Sequence, residues 1–147
     1  MIVLDTNIVS VLVTPEHPDL ALIETWQRAS RDQDFGLTVI TQAEIAYGIA
    51  LLPQSRKRQR LAEAATELFA RTAGLILPFG SDQAAAHGVI MADRRSQGRP
   101  ISSLDAQIAA IARVAGAAVA TRNTPDFLGC GIEVINPYDV TLGHVQP

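Results

Sequence analysis

The sequence predicts an α/β fold, a parallel sheet covered by helices on both faces. Three observations carry this. Short apolar runs alternate with stretches of helical periodicity along the chain, Gly and Pro punctuate the ends of those stretches, and acidic or amide residues stand directly behind apolar runs.

The run Ile2–Leu4 reads as a first strand, and the chain then enters a short helix from Thr6. Beyond Pro15 and Pro18, Leu22, Ile23 and Trp26 recur at helical spacing within residues 19–29. A second strand is expected over 36–40, followed by a helix over 42–52 that Pro53 closes. Residues 55–72 form a long polar-faced helix, with Gly74 placed to end it as a C′ residue. The run 75–78 is a short edge strand, because Pro78 lacks the N–H that a central strand needs. Helices over 82–97 and 103–115 stop at Gly98 and Gly116, and strands over 117–121 and 132–135 complete the set. No linker or internal repeat divides residues 1–147, so one domain is expected.

With 48% hydrophobic and 18% charged residues, the composition is that of a folded chain rather than a disordered one. Cys130 is the single cysteine, so it is expected to be reduced and buried, as in a cytoplasmic protein. Met1 runs straight into the first strand with no basic stretch or long apolar run ahead of it, so no secretory leader is expected. The longest apolar stretch, 108–120, contains Arg113 and Gly116 and falls short of the roughly 20 residues of a membrane span. The net charge of −3 excludes a general basic field, so nucleic-acid binding would need a local patch. Arg56-Lys57-Arg58-Gln59-Arg60 supplies one, with smaller groups at Arg94-Arg95, Arg99 and Arg113, although each also reads as a solvated helix face. His17, His87 and His144 fall in loops or on an alanine-rich helix and support no nucleophilic triad. The helix over 42–52 has two apolar stripes, Ile45 with Ile49 and Leu52, and Tyr47 with Leu51, which predicts cover on both sides and hence a subunit or partner interface.

In open parallel sheets, ligands bind beyond the carboxyl ends of the strands. Asp5 follows the first strand, Glu44 the second, and Asn123 and Asp126 the fourth, while Asp105 opens the helix leading into that fourth strand. Each also reads as a capping residue: Asp5 for the first helix, Thr41-x-x-Glu44 and Ser102-x-x-Asp105 as capping boxes, Asn123 and Asp126 at a helix start around Pro125. Together they imply more. Ionised carboxylates about 5 Å apart repel by roughly 3 kcal/mol per pair at an effective dielectric near 20, so such a cluster calls for a cation. Oxygen ligands without His or Cys select a hard ion, Mg²⁺ or Mn²⁺, whose chemistry beside a phosphate is to activate water and neutralise developing charge.

The segments Met1-Ile-Val-Leu-Asp-Thr-Asn, Thr41-Gln-Ala-Glu-Ile-Ala-Tyr-Gly, Gly98-Arg-Pro-Ile-Ser-Ser-Leu-Asp-Ala-Gln-Ile-Ala-Ala and Ala120-Thr-Arg-Asn-Thr-Pro-Asp-Phe together resemble the PIN-domain ribonucleases, in particular the VapC and FitB toxins of toxin-antitoxin systems. The resemblance covers essentially the whole chain. It implies a three-layer fold with strand order 3-2-1-4-5, a Mg²⁺- or Mn²⁺-dependent endoribonuclease, a small cognate antitoxin, and a homodimer that forms a heterotetramer or larger assembly with that antitoxin. Asp5, Glu44 and Asp105 match the family's first three acids, with Asp5 and Asp105 as metal ligands. At the fourth position stands Asn123, which carries no charge, with Asp126 three residues on. Thr6, Asn7 and Thr121 match polar positions that brace the acids, and Arg122, beside them, is the expected contact to substrate phosphate.

Rival folds fail on their motifs. A haloacid-dehalogenase-type phosphatase needs a second Asp where Asn7 stands, and a dinucleotide-binding fold needs a glycine fingerprint after Leu4. The alternative from another class is a weakly catalytic or noncatalytic partner that acts with an antitoxin on operator DNA.

Overall fold

A computed structural model describes residues 1–139 of the chain, so His144 lies outside the described residues. The elements are β1 (Ile2–Leu4), α1 (Thr6–Leu12), α2 (Leu20–Ala29), β2 (Phe35–Thr38), α3 (Val39–Ala50), α4 (Arg56–Arg71), β3 (Ile76–Leu77), α5 (Ser81–Ser96), α6 (Ser103–Ala115), β4 (Ala118–Ala120), α7 (Thr124–Phe127) and β5 (Val134–Ile135). The sheet has the order β3-β2-β1-β4-β5 and every pairing is parallel, as expected. β1 is therefore central, and whatever follows Leu4 emerges in the middle of the carboxyl edge.

Alternation along β1 separates the layers. Ile2 and Leu4 pack with Ile8 and Val9 of α1, Ile23 and Trp26 of α2, Ile45 of α3 and Ala65 of α4. Val3 packs on the opposite face with Ile90 of α5, the alanine-rich α6 and Phe127 of α7. Burial on both faces explains why the strands read as continuous apolar runs rather than alternating ones. In α6, Ala106, Ala109, Ala110 and Ala112 are all buried, so small side chains bring this helix close against the sheet. Ile108, fully buried among them, anchors that layer, and its truncation to alanine would cost about 2–5 kcal/mol.

Several boundaries move. The second strand ends at Thr38, and α3 begins at Val39 instead of residue 42, because Thr38 in extended conformation accepts from Thr41 N–H at 3.0 Å and caps the helix. Thr41-x-x-Glu44 is therefore not a capping box; Thr41 is already buried inside the first turn. α4 ends at Arg71, and Gly74 lies in a 3-10 turn, Ala73–Leu75, without the positive φ of a C′ glycine. Gly98 and Gly116 do adopt it, at φ 68° and 63°, as their helix-stopping role requires. The edge strand shortens to Ile76–Leu77 and the last strand to Val134–Ile135. Cys130 is buried, as expected. Arg94 is the reverse of a solvated residue. It is 3% exposed, and its guanidinium donates to the carbonyls of Pro125 and Leu128, holding α7 against α5.

Candidate active site

Asp5 is the residue around which the carboxyl edge is organised. Its backbone N–H donates to Ala120 O of β4 at 3.0 Å, and its carbonyl accepts from Ile8 and Val9, so strand and helix both fix it. The side chain is only 5% exposed. Oδ1 accepts from Thr6 N–H at 2.7 Å, and Oδ2 accepts from Asn7 Nδ2 and Thr121 Oγ1, each at 2.7 Å. Thr121 Oγ1 also accepts from Asn7 Nδ2 and from Asn123 N–H, while Asn7 Oδ1 accepts from Arg122 N–H at 3.2 Å. Thr6, through its backbone, and Asn7 and Thr121, through their side chains, thus all donate to the Asp5 carboxylate.

Thr6 also reaches the second acid: its Oγ1 donates to Glu44 Oε1 at 2.7 Å and lies 3.4 Å from Thr41 Oγ1, which is 3.1 Å from Thr38 Oγ1. This line of threonines ties α1 to the start of α3. The cap is Thr38 rather than Thr41, and its signal in the sequence is a threonine at a strand end three residues ahead of Thr41. Asp105 sits in the first turn of α6, where Ser102 Oγ accepts from its N–H at 3.1 Å and donates to its Oδ2 at 2.7 Å. Asp105 is thus braced by its own helix cap, and it acts on Asp5 at a distance.

Burial pushes the Asp5 carboxyl up to about 6; the hydrogen bonds from Thr121 and Thr6 oppose the rise, and the charges of Asp105 and Glu44 add to it. A positive charge placed among these acids would reverse the trend. Asp5 also keeps an unused acceptor position: a carboxylate offers about four, and the donors present occupy two on Oδ2 and one on Oδ1. Among the described residues no three His, Cys, Asp or Glu side chains are gathered tightly enough to enclose an ion. The acids that act on one another here, Asp5, Glu44 and Asp105, offer carboxylate oxygens only, a donor chemistry that suits a hard ion such as Mg²⁺. A groove lined by Thr6, Ser10, Glu44, Gly48 and Leu61 opens beside Glu44.

The structure does not draw Asn123 and Asp126 into this network by their side chains. Asn123 takes part only through its backbone N–H; Asp126 is exposed in the first turn of α7 and is not among the charges acting on Asp5. The basic run also divides: Arg58 turns to the Leu52 carbonyl at 3.0 Å, Arg60 pairs with Glu16 at 3.1 Å, and Arg56 and Lys57 stay exposed. On α3, Ile45 is buried while Tyr47 and Leu51 are 67% and 66% exposed, so the second apolar stripe lies open in the single chain.

Residues 2–127, which hold all of these groups, match the PIN domain family. This chain is a PIN-domain protein. It is 37% identical over 142 residues to a VapC ribonuclease of Sinorhizobium fredii, covering 95% of this chain and 99% of that protein. It is 35% identical over 142 residues to the toxin FitB of Neisseria gonorrhoeae, covering 94% and 99%. Among solved structures, FitAB bound to a DNA fragment superposes with a TM-score of 0.85 at 33% identity, over 99% of this chain and 100% of that one. DNA-bound VapBC from Salmonella typhimurium shares the fold, with a TM-score of 0.73 at 24% identity over 92% and 97%. The PIN-domain protein thus belongs with the VapC and FitB proteins of toxin-antitoxin systems.

Proposed function

We propose that this PIN-domain protein is a Mg²⁺- or Mn²⁺-dependent endoribonuclease, the toxin of a toxin-antitoxin pair, acting in the cytoplasm. The observation that carries the reading is the buried Asp5 carboxylate, held by three donors and made unfavourable as an anion by burial and by its acidic neighbours. Such an arrangement costs stability in the free protein and is offset by a bound cation. The likeness to a VapC ribonuclease supports RNA as the substrate.

Asp5 and Asp105 would hold the ion, and Thr6, Asn7 and Thr121 keep the Asp5 carboxylate in one orientation. When bound, the ion supplies Lewis-acid polarisation of the phosphodiester and charge for the developing phosphorane. Glu44, fixed by Thr6, orients the attacking water and accepts its proton as the water oxygen bonds to phosphorus and the bridging oxygen leaves. Arg122 contacts a phosphate of the strand.

An antitoxin partner is supported by the structural likeness to FitAB. The open Tyr47 and Leu51 face of α3 supports burial against a second copy or the antitoxin, giving a homodimer and a heterotetramer or larger complex. That FitAB is bound to DNA favours a second reading for this chain, in which it works with its antitoxin on operator DNA and catalysis is weak or absent. Purified antitoxin-free protein separates the two. RNA cleavage that stops with excess EDTA and returns with Mg²⁺ or Mn²⁺ is the expected result, and cleavage unaffected by chelation overturns the metal assignment; no cleavage under any ion leaves the operator-binding reading.

A further inference from the structure

One residue past Thr121, a second polar cluster stands apart from the acids. The Arg122 backbone is fixed by Asn7, but its side chain turns away: the guanidinium carbon lies 5.0 Å from the centroid of the Tyr138 ring, and Nη1 is 3.8 Å from Asp19 Oδ2. Tyr138 Oη donates to the same Asp19 oxygen at 3.3 Å. Burial, then the Asp19 charge, push the Tyr138 hydroxyl above its ordinary value, so it remains a donor.

Asp19 is the informative member. It holds the N-cap position of α2 yet makes no side-chain bond to that helix. An aspartate cap stabilises by about 1 kcal/mol, and here the carboxylate forgoes it to face Arg122 and Tyr138. His17 Nδ1 accepts the Asp19 N–H at 3.1 Å, fixing the turn that presents it. Asp19 and Tyr138, far apart in the chain, thus converge on one arginine, whose side chain nevertheless stays 64% exposed. The contact with the Tyr138 ring biases its rotamer in advance, and a loose exposed ion pair is worth under about 1 kcal/mol, so the guanidinium is free to exchange Asp19 for a stronger anion. Arginine stacked on an aromatic ring and offering its outward donors is suited to a phosphodiester.

We propose that Arg122, Tyr138 and Asp19 form a platform for the RNA backbone beside the acid site: Arg122 takes a phosphate of the strand flanking the cleaved bond, Tyr138 is a positioning residue that keeps the guanidinium over its ring, and Asp19 is a positioning residue that holds Arg122 in the free protein and releases it to the phosphate. This rests on the ribonuclease reading and adds to it two residues and a mode of contact.

The test is equilibrium binding of a single-stranded RNA oligonucleotide to the full chain carrying Asp5→Asn, or to the wild-type chain in EDTA should that variant not fold, across a salt series. Arg122→Ala is expected to weaken binding about 5- to 20-fold and to lower the magnitude of the salt slope by about one. Tyr138→Leu weakens binding severalfold with the slope kept, Arg122→Lys behaves like Tyr138→Leu because charge without a flat stacking surface does not substitute, and Tyr138→Phe retains most of the affinity. Tyr138→Leu costs nothing further once Arg122 is alanine. In the metal-loaded enzyme Tyr138→Leu raises KM and leaves kcat. Unchanged affinity and slope in Arg122→Ala would reduce the cluster to an internal tie, and a lowered melting temperature with unchanged affinity in Tyr138→Leu would make that residue structural. Tighter, Arg122-dependent binding to duplex DNA than to RNA would overturn the RNA assignment. Loss of RNA binding in Arg122→Ala without any metal-dependent cleavage in the wild type would sink the ribonuclease reading and leave the platform standing.

Discussion

Asp5 and Asp126 are both carboxylates placed shortly after a central strand, and the fold treats them in opposite ways. Asp5 is buried, receives donors from its own helix and from the end of β4, and carries the influence of two further acids. Asp126 is exposed at a helix start and its side chain makes no hydrogen bond among the described residues. A strand-end acid is drawn into the fold only where neighbouring elements supply donors to it. Proximity in sequence to a strand end is not enough.

The comparison breaks first, and most severely, at Asp5. Asp5→Asn is expected to lower RNA cleavage by more than about 100-fold, exceeding the usual effect of losing a residue that only braces a metal ligand, with the circular dichroism spectrum unchanged. Next in size is the pH dependence of the metal-free protein. With its carboxyl pushed up to about 6 from an ordinary 3.8, Asp5 binds its proton more tightly folded than unfolded. Its contribution to stability is therefore full below about pH 4 and is lost as pH rises through about 6, a fall of about 3 kcal/mol at most. Urea denaturation in EDTA at pH 4.5 and pH 7.5 samples about 2 kcal/mol of that fall, and Mn²⁺ in place of EDTA at pH 7.5 should restore much of the loss; a metal-free protein whose stability does not fall over this range contradicts the picture of a strained carboxylate.

Thr121→Val sharpens the account at a smaller scale. It removes a donor from Asp5 and an acceptor from Asn7 and Asn123, so about 10- to 100-fold loss of metal affinity or activity is expected, with about 1–3 kcal/mol of stability. Serine at the same position should recover most of both, since it returns the hydroxyl. The smallest effect belongs to Asp126→Ala, which should cost about 0.3–1 kcal/mol in a thermal melt by loss of a favourable helix-dipole interaction and leave Mn²⁺ affinity as it was. A large drop in metal affinity there would join the two acids that the structure keeps apart.

The fold was legible in the sequence because its signals are local and repeated: three apolar residues before Asp5, glycines that accept positive φ at 98 and 116, a proline beside the edge strand. The sheet order came from the family resemblance, whereas Asp5, Glu44 and Asp105 stand out already by their places behind strands or at a helix start. What stayed hidden is tertiary. Thr38 displaced Thr41 as the cap of α3 because its extended conformation put Oγ1 under the helix N–H groups, and a short apolar run gives no sign of which residue will do so. Arg94 read as a surface residue in a basic pair, but the carbonyls of Pro125 and Leu128 from a separate segment supply the acceptors that let it be buried. Asp19 and Tyr138 carry no motif at all, since their meeting depends on how residues far apart in the chain are folded together.

Calorimetric titration of Mn²⁺ into the wild-type protein and into Asp5→Asn, at neutral pH and without nucleic acid, tests the central claim most directly. An Asp5-centred metal site predicts saturable binding to the wild type and loss of that binding in Asp5→Asn. Equal binding by the two proteins, or none by a wild type that still cleaves RNA, would contradict it.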